Sequence, residues 1–230
     1  MQISDIMGDF IVPRIIPAMV LRDVVFYPHS ILPLYIFEAH YRHMLRDVIE
    51  NDRMFTIIHA IPDEAALHTE LPFNECVTLG CVKACQTYSD GTSMVLLEGI
   101  CRLTVQQCLT DGPYLQLEVA PVIENTADPA ALESLRIQTL QLLEKIHHVG
   151  GEISDEAMEH LRNINQPHHF VDHAAASFFK STSATQQLLK LSDPLTRYST
   201  LLQHLKQYYQ RFEWIDSIIR DIPPEDIGRN

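Results

Sequence analysis

The chain has 230 residues, of which 46% are hydrophobic and 20% charged, a composition that excludes a disordered polymer and can build a substantial core. Its formal net charge at pH 7 is -13, from 30 acidic and 17 basic residues. The basic residues are scattered rather than clustered, so counterion release on a nucleic acid has no cationic patch to drive it.

The opening segment, MQISDIMGDFIVPRII, carries Asp5 and Asp9 where a signal peptide would be basic. No apolar run approaches the roughly 20 residues of a membrane span. Both features predict a cytoplasmic protein with no membrane partner. All five cysteines (Cys76, Cys81, Cys85, Cys101 and Cys108) fall in one region and are expected as free thiols of a reducing compartment. Cys81 and Cys85 suggest a metal pair only on paper, because residues four apart on a strand are separated by about 13 Å.

Residues 13–124 read as short strands with turn punctuation. VVFYPHSILPLYIF (24–37) predicts two strands joined by a proline-containing turn. Pro28 and Pro33 each deny a ladder N–H, which places them at strand ends or on a sheet edge. An amphipathic helix follows from His40 to Asn51, with Tyr41, Met44, Leu45, Val48 and Ile49 on one face. Glu38, just before it, is expected to act at the helix N-terminus rather than in catalysis. Further strands are predicted at 55–61, 76–88, 93–99, 101–108 and 113–124, with an Asp90-Gly91 hairpin turn. Strands this short without intervening crossover helices imply a closed or nearly closed antiparallel β structure.

From Asp128 the periodicity becomes helical. Asp128-Pro129 and Asp193-Pro194 each read as an N-cap followed by proline at the first helical position. Ser154 opens a second helix, residues 168–181 make a third, and Ser183 with Gln186 has the spacing of a capping box. The last helix is long, with Leu195, Tyr198, Leu202, Leu205, Tyr209, Phe212 and Ile219 on its apolar face, and Pro223-Pro224 ends it. The expected class is α+β: a β-barrel domain over residues 1–124, then an all-α bundle over 125–230 with a long C-terminal helix.

Motifs for catalysis are missing from the sequence: there is no phosphate-binding glycine loop, G-x-S-x-G, H-E-x-x-H or C-x-x-C. His169 and His173 lie four apart on a predicted helix, but two ligands without an evident third do not make a metal site. His147-His148 stands in a last helical turn, where positive charge complements the helix dipole. No metal, cofactor or catalytic residue is expected.

Several stretches resemble the N-terminal substrate-binding domain of the ATP-dependent protease Lon. They are Pro17-Ala18-Met19-Val20-Leu21-Arg22-Asp23, Val25-Phe26-Tyr27-Pro28 and Pro33-Leu34-Tyr35-Ile36-Phe37-Glu38-Ala39-His40-Tyr41. Leu79-Gly80, Asp90-Gly91, Glu98-Gly99 with Arg102, Pro113-Tyr114 and QQLLKLSDPLTRYSTLLQHL continue the similarity in order. His40 stands where arginine is usual, and Tyr27 is inserted between Phe26 and Pro28. The resemblance implies a PUA-like antiparallel barrel followed by a helical bundle. It also implies engagement of unfolded or extended polypeptide, in association with a protease system, through exposed apolar surface. The chain ends at Asn230 with no ATPase or Ser-Lys protease module, so it reads as a stand-alone, non-enzymatic binding protein. The alternatives from other classes are a nucleic-acid-associated protein, since PUA-like barrels occur in RNA-modifying enzymes, and a metal-dependent hydrolase using the histidines. Strand alternation puts Tyr35 and Phe37 opposite Leu34 and Ile36. If Leu34 and Ile36 fill the barrel, Tyr35 and Phe37 stay outside, and with Tyr27 and His40 they are the expected peptide-binding residues.

Overall fold

The computed structural model describes residues 11–60, 76–151, 153–178 and 182–221. Residue 61 of the predicted third strand and the Pro223-Pro224 stop lie outside them. The chain divides into two compact units. The first comprises Met1–Glu124 with Phe179–Ser192, and the second Asn125–Phe178 with Asp193–Asn230.

In the first unit, six strands form one mixed sheet: β1 (Ile15–Arg22), β2 (Ile31–Ile36), β3 (Met54–Ala60), β4 (Cys76–Thr87), β5 (Ser93–Leu109) and β6 (Gln116–Pro121). Their order is β2-β5-β4-β3-β1-β6, and a further pairing of β5 with β6 closes a ring that leaves β2 attached outside it. The expectation of an antiparallel barrel is corrected at one pair: β1 runs parallel to β3, with Ala18 opposite Thr56. The reason is burial on both faces. Met19 and Ile57 belong to one apolar cluster, while their neighbours Ala18 and Ile58 belong to the other.

Two predicted strands, 93–99 and 101–108, are one strand, β5, which is long enough to pair with β4 from Ser93 to Thr104, with β2 from Ser93 to Glu98 and with β6 from Leu103 to Leu109. The first strand predicted within 24–37 does not form. Residues 24–27 instead make a loop that buries Phe26 and Tyr27. Thr78 Oγ1 donates to the Phe26 carbonyl at 2.6 Å, and His29 N donates to Gly99 O at 2.8 Å. Gly99 is required there, because a Cβ would stand 2.1 Å from the Tyr27 carbonyl oxygen.

The helix α1 (Ala39–Glu50) buries Met44, Leu45 and Val48 against this sheet. The Tyr41 hydroxyl accepts from Val20 N at 3.1 Å, and the Tyr114 hydroxyl donates to Asp47 Oδ2 at 2.9 Å. Burial, with the Asp47 carboxylate beside it, pushes the Tyr114 phenol up to about 12. Glu38 is the residue before the first turn, but its side chain makes no capping hydrogen bond.

The second unit holds α2 (Pro129–His148), α3 (Asp155–Asn163), α4 (Pro167–Phe178) and α6 (Pro194–Asp221). Three N-terminal caps follow from the sequence, those of α2, α3 and α6. Asp128 Oδ1 accepts from Ala130 N, Ser154 Oγ from Ala157 N, and Asp193 Oδ2 from Thr196 N at 2.8 Å. Along α6, Tyr198, Leu201, Leu202 and Leu205 are buried, whereas Leu195 and Phe212, expected inside, are half-buried. Arg197 is buried as well, in an ion pair with Asp172 of α4.

The helix α5 (Thr182–Lys190) lies within the 125–230 segment yet clusters with the first unit. Leu188 and Leu189 are buried. The capping box expected of Ser183 and Gln186 is corrected, because α5 already begins at Thr182 and Gln186 Nε2 instead donates to Cys76 O of the sheet at 2.9 Å. Arg102 on β5 is buried, donates from Nη1 to the carbonyls of Leu189 (2.9 Å) and Leu191 (2.6 Å), and pairs through Nη2 with Glu124. The carbonyls at the end of α5, which lack helical donors, are thus met by a guanidinium from the sheet.

Candidate functional site

The loop 23–30 delivers the chain to β2, whose alternation sorts its side chains. Leu34 and Ile36 face inward and are buried, joining Val95, Leu97, Met44 and Leu45 in one cluster. Ile31, Pro33 and Tyr35 face outward and are exposed, and Phe37 just beyond the strand does the same. Tyr35 is 52% and Phe37 58% exposed, and their rings stack with centroids 5.9 Å apart. On β5, the residues opposite are apolar too. Met94 pairs with Tyr35 and Leu96 with Pro33, and both are exposed. On the other side of β5, Ala84 of β4 lies beside Leu96 and is also exposed. The result is a contiguous apolar strip across the outer face of the sheet, Ile31-Pro33-Tyr35-Phe37 flanked by Leu96 and Met94.

Exposure on this scale leaves a contiguous apolar area in water, and such patches on soluble proteins mark contact surfaces. Sequence reading missed Ile31, Met94 and Leu96 because both faces of these strands are apolar. SMVLLEG has no polar residue between Met94 and Leu97 to reveal which face meets solvent.

The four residues expected to bind peptide divide. Tyr35 and Phe37 are together on the strip. Tyr27 is not exposed: its relative accessibility is 0%, and its hydroxyl donates to the Thr185 carbonyl at 2.7 Å. The insertion before Pro28 therefore builds the α5 seat rather than the surface. His40 is exposed on the first turn of α1, where its ring packs on Tyr41 and its Nδ1 lies 3.9 Å from Glu38 Oε2.

The other candidates do not assemble into chemistry. His173 of α4 meets His160 of α3, with ring nitrogens 3.3 Å apart, so a histidine contact runs between these two helices. Among the described residues no group of three His, Cys, Asp or Glu is placed to hold a metal ion. Burial pushes the Cys101 thiol up to about 12, the opposite of what a nucleophilic thiolate needs. In the second unit an open cleft of about 620 Å³ lies between α2, α3 and α6. Its Arg162 is engaged by Glu144 at 3.0 Å and its His147 by Asp155 at 3.0 Å. Among the described residues no helix is long and apolar enough to cross a membrane.

Comparison with known proteins places this arrangement. The chain is 25% identical over 226 residues to the Lon protease of Trichlorobacter lovleyi, covering 95% of this chain and 27% of the relative. It is 25% identical over 179 residues to the Lon protease of Xanthomonas oryzae pv. oryzae, covering 77% and 21%. The chain thus spans about a quarter of the length of these relatives. Among solved structures, the N-terminal domain of Mycobacterium avium complex Lon protease superposes with a TM-score of 0.66 at 15% identity, covering 84% of this chain and 98% of that one. The Lon N-terminal domain protein from Xanthomonas campestris gives 0.53 at 18% identity, covering 82% and 97%. At these identities the likeness establishes the fold. Residues 15–207 match the family described as the ATP-dependent protease La (LON) substrate-binding domain, and the chain belongs to that family.

Proposed function

We propose that this protein is a non-enzymatic module that binds unfolded or extended polypeptide as part of a protease system. The observation that carries the reading is the exposed apolar strip Ile31-Pro33-Tyr35-Phe37 with Met94 and Leu96. It lies on the unit that contains most of the family match. Aromatic side chains in such a strip offer large contact area at low entropic cost, while the buried neighbours Leu34 and Ile36 keep the backbone fixed. A net charge of -13 disfavours nucleic acid as the ligand. The family description names substrate binding, and the strip supplies a surface for it.

The test is a titration with a permanently unfolded, reduced and carboxymethylated model protein beside its native form. Binding to the unfolded form alone supports the reading, and equal affinity for both, or for neither, contradicts it. The same preparation is expected to hydrolyse neither ATP nor casein above background. Turnover abolished by a point substitution in this chain would contradict the non-enzymatic half of the proposal.

A further inference from the structure

The polypeptide-binding reading, on which this inference rests, requires the ligand's backbone to be held as well as its side chains. Among the described residues β2 is the one strand with a single neighbour, because every other strand pairs on both sides. Its free edge has a definite parity. Gly99 N donates to Ser30 O at 2.9 Å, and the register then runs unbroken from Ile31 opposite Glu98 to Ile36 opposite Ser93. Antiparallel ladders bond alternate residue pairs, so Leu32, Leu34 and Ile36 direct their N–H and C=O groups toward β5. Ile31, Pro33 and Tyr35 direct theirs outward. Pro33, with no N–H to give, fits this parity, since it sits where a donor to β5 is not needed. The residues with outward backbone groups are also those with side chains on the exposed apolar strip.

We propose that the outer edge of β2 accepts an extended segment of the client as an added strand, hydrogen-bonded at Ile31 and Tyr35 and interrupted at Pro33. The client residues opposite Ile31, Pro33 and Tyr35 place their side chains on the same outer face, so the preferred segment is apolar at every second position. Ile31 and Tyr35 are about 13 Å apart along the strand, which sets the footprint at about five client residues. The segment is free of net negative charge, because the protein it approaches carries -13.

The same edge disfavours a second copy of this chain. Antiparallel pairing of β2 with itself would set two copies of Pro33 near each other, losing two donors where a client strand loses one. It would also bring two chains of charge -13 together. Pro33 thus separates client capture from self-association.

The probe is a labelled synthetic peptide alternating valine and threonine between lysine flanks, measured by fluorescence anisotropy. Two versions carry N-methyl groups on one or the other alternate set of amides. Edge pairing predicts that one version loses binding by at least about tenfold while the other binds like the parent. Equal binding of both versions overturns it. Replacing the lysine flanks with glutamates is expected to weaken binding, and no change contradicts the charge argument. Pro33→Val restores one donor and is expected to tighten the parent peptide about fivefold, the factor of one net hydrogen bond. Light scattering decides the occupant: a native chain that dimerises through this edge and releases the dimer only on peptide addition assigns the edge to a second copy and overturns the proposal. Failure here remains distinct from failure of the broader reading. If Tyr35→Ala weakens binding of the carboxymethylated model protein while both methylated peptides bind alike, the strip binds through side chains alone.

Discussion

The hydroxyl of Tyr27 donates to the carbonyl of Thr185 at 2.7 Å, across 158 residues of sequence. One end of this bond is in a loop before β2, and the other is in a helix that follows four helices of the chain. Tyr27→Phe keeps the ring and removes the donor, and is expected to cost about 1 kcal/mol in denaturant unfolding. Its affinity for unfolded polypeptide should be unchanged, because the ring is buried. A variant with full stability and reduced binding would place Tyr27 on the surface after all.

Arg102 is the second clasp on α5. Its guanidinium serves three oxygens, on Leu189, Leu191 and Glu124. Arg102→Leu leaves those acceptors without their donor and is expected to cost about 3 kcal/mol. Arg102→Lys should recover only part of it, since an ammonium cannot reproduce the planar fork. Hydrogen exchange in α5 should accelerate before that in β3 or β4. Uniform acceleration across the unit would show that Arg102 acts on the barrel as a whole.

In the second unit Leu205 is fully buried on α6. Leu205→Ala is expected to lower unfolding free energy by about 2–5 kcal/mol. A loss below about 1 kcal/mol would mean that the cavity collapses or that this face packs little.

Much of this was legible in the sequence, for identifiable reasons. Caps at Asp128, Ser154 and Asp193 are local chemistry, and each forms a bond within a few residues of itself. Strand parity separates Leu34 and Ile36 from Tyr35 and Phe37, but both faces of β2 are apolar, so only the fold decides which pair is buried. The parallel pairing of β1 with β3 was not legible, because face alternation carries no strand direction and partner choice is set by contacts distant in sequence. The place of α5 was hidden for a different reason. Its amphipathic pattern says that one face is covered, but only long-range partners such as Cys76 and Arg102 say by what. Tyr27 illustrates the same limit, since an aromatic beside a proline reads equally well as surface or seat.

Asp193 makes a pH-dependent contribution. Hydrogen bonds from the Thr196 hydroxyl and backbone N–H hold its carboxyl below the ordinary range. A depressed folded-state pKa contributes stability that is complete above the unfolded value and is lost as pH falls through the folded one. Unfolding followed from pH 6 downward should therefore show a loss beginning in the ordinary carboxylate range, near about pH 4, that Asp193→Asn reduces. An identical pH profile in the two proteins would remove Asp193 from the acid response.

The most direct measurement of the central claim is a paired one on the double variant Tyr35→Ala, Phe37→Ala. Affinity for the carboxymethylated model protein and the melting temperature are read on the same preparation. Because both rings are exposed, the melting temperature should stay within about 2 °C of the native chain. Loss of two stacked aromatic anchors should weaken binding by at least about tenfold. Unchanged affinity in a folded variant would contradict the account and move the polypeptide-binding surface away from β2.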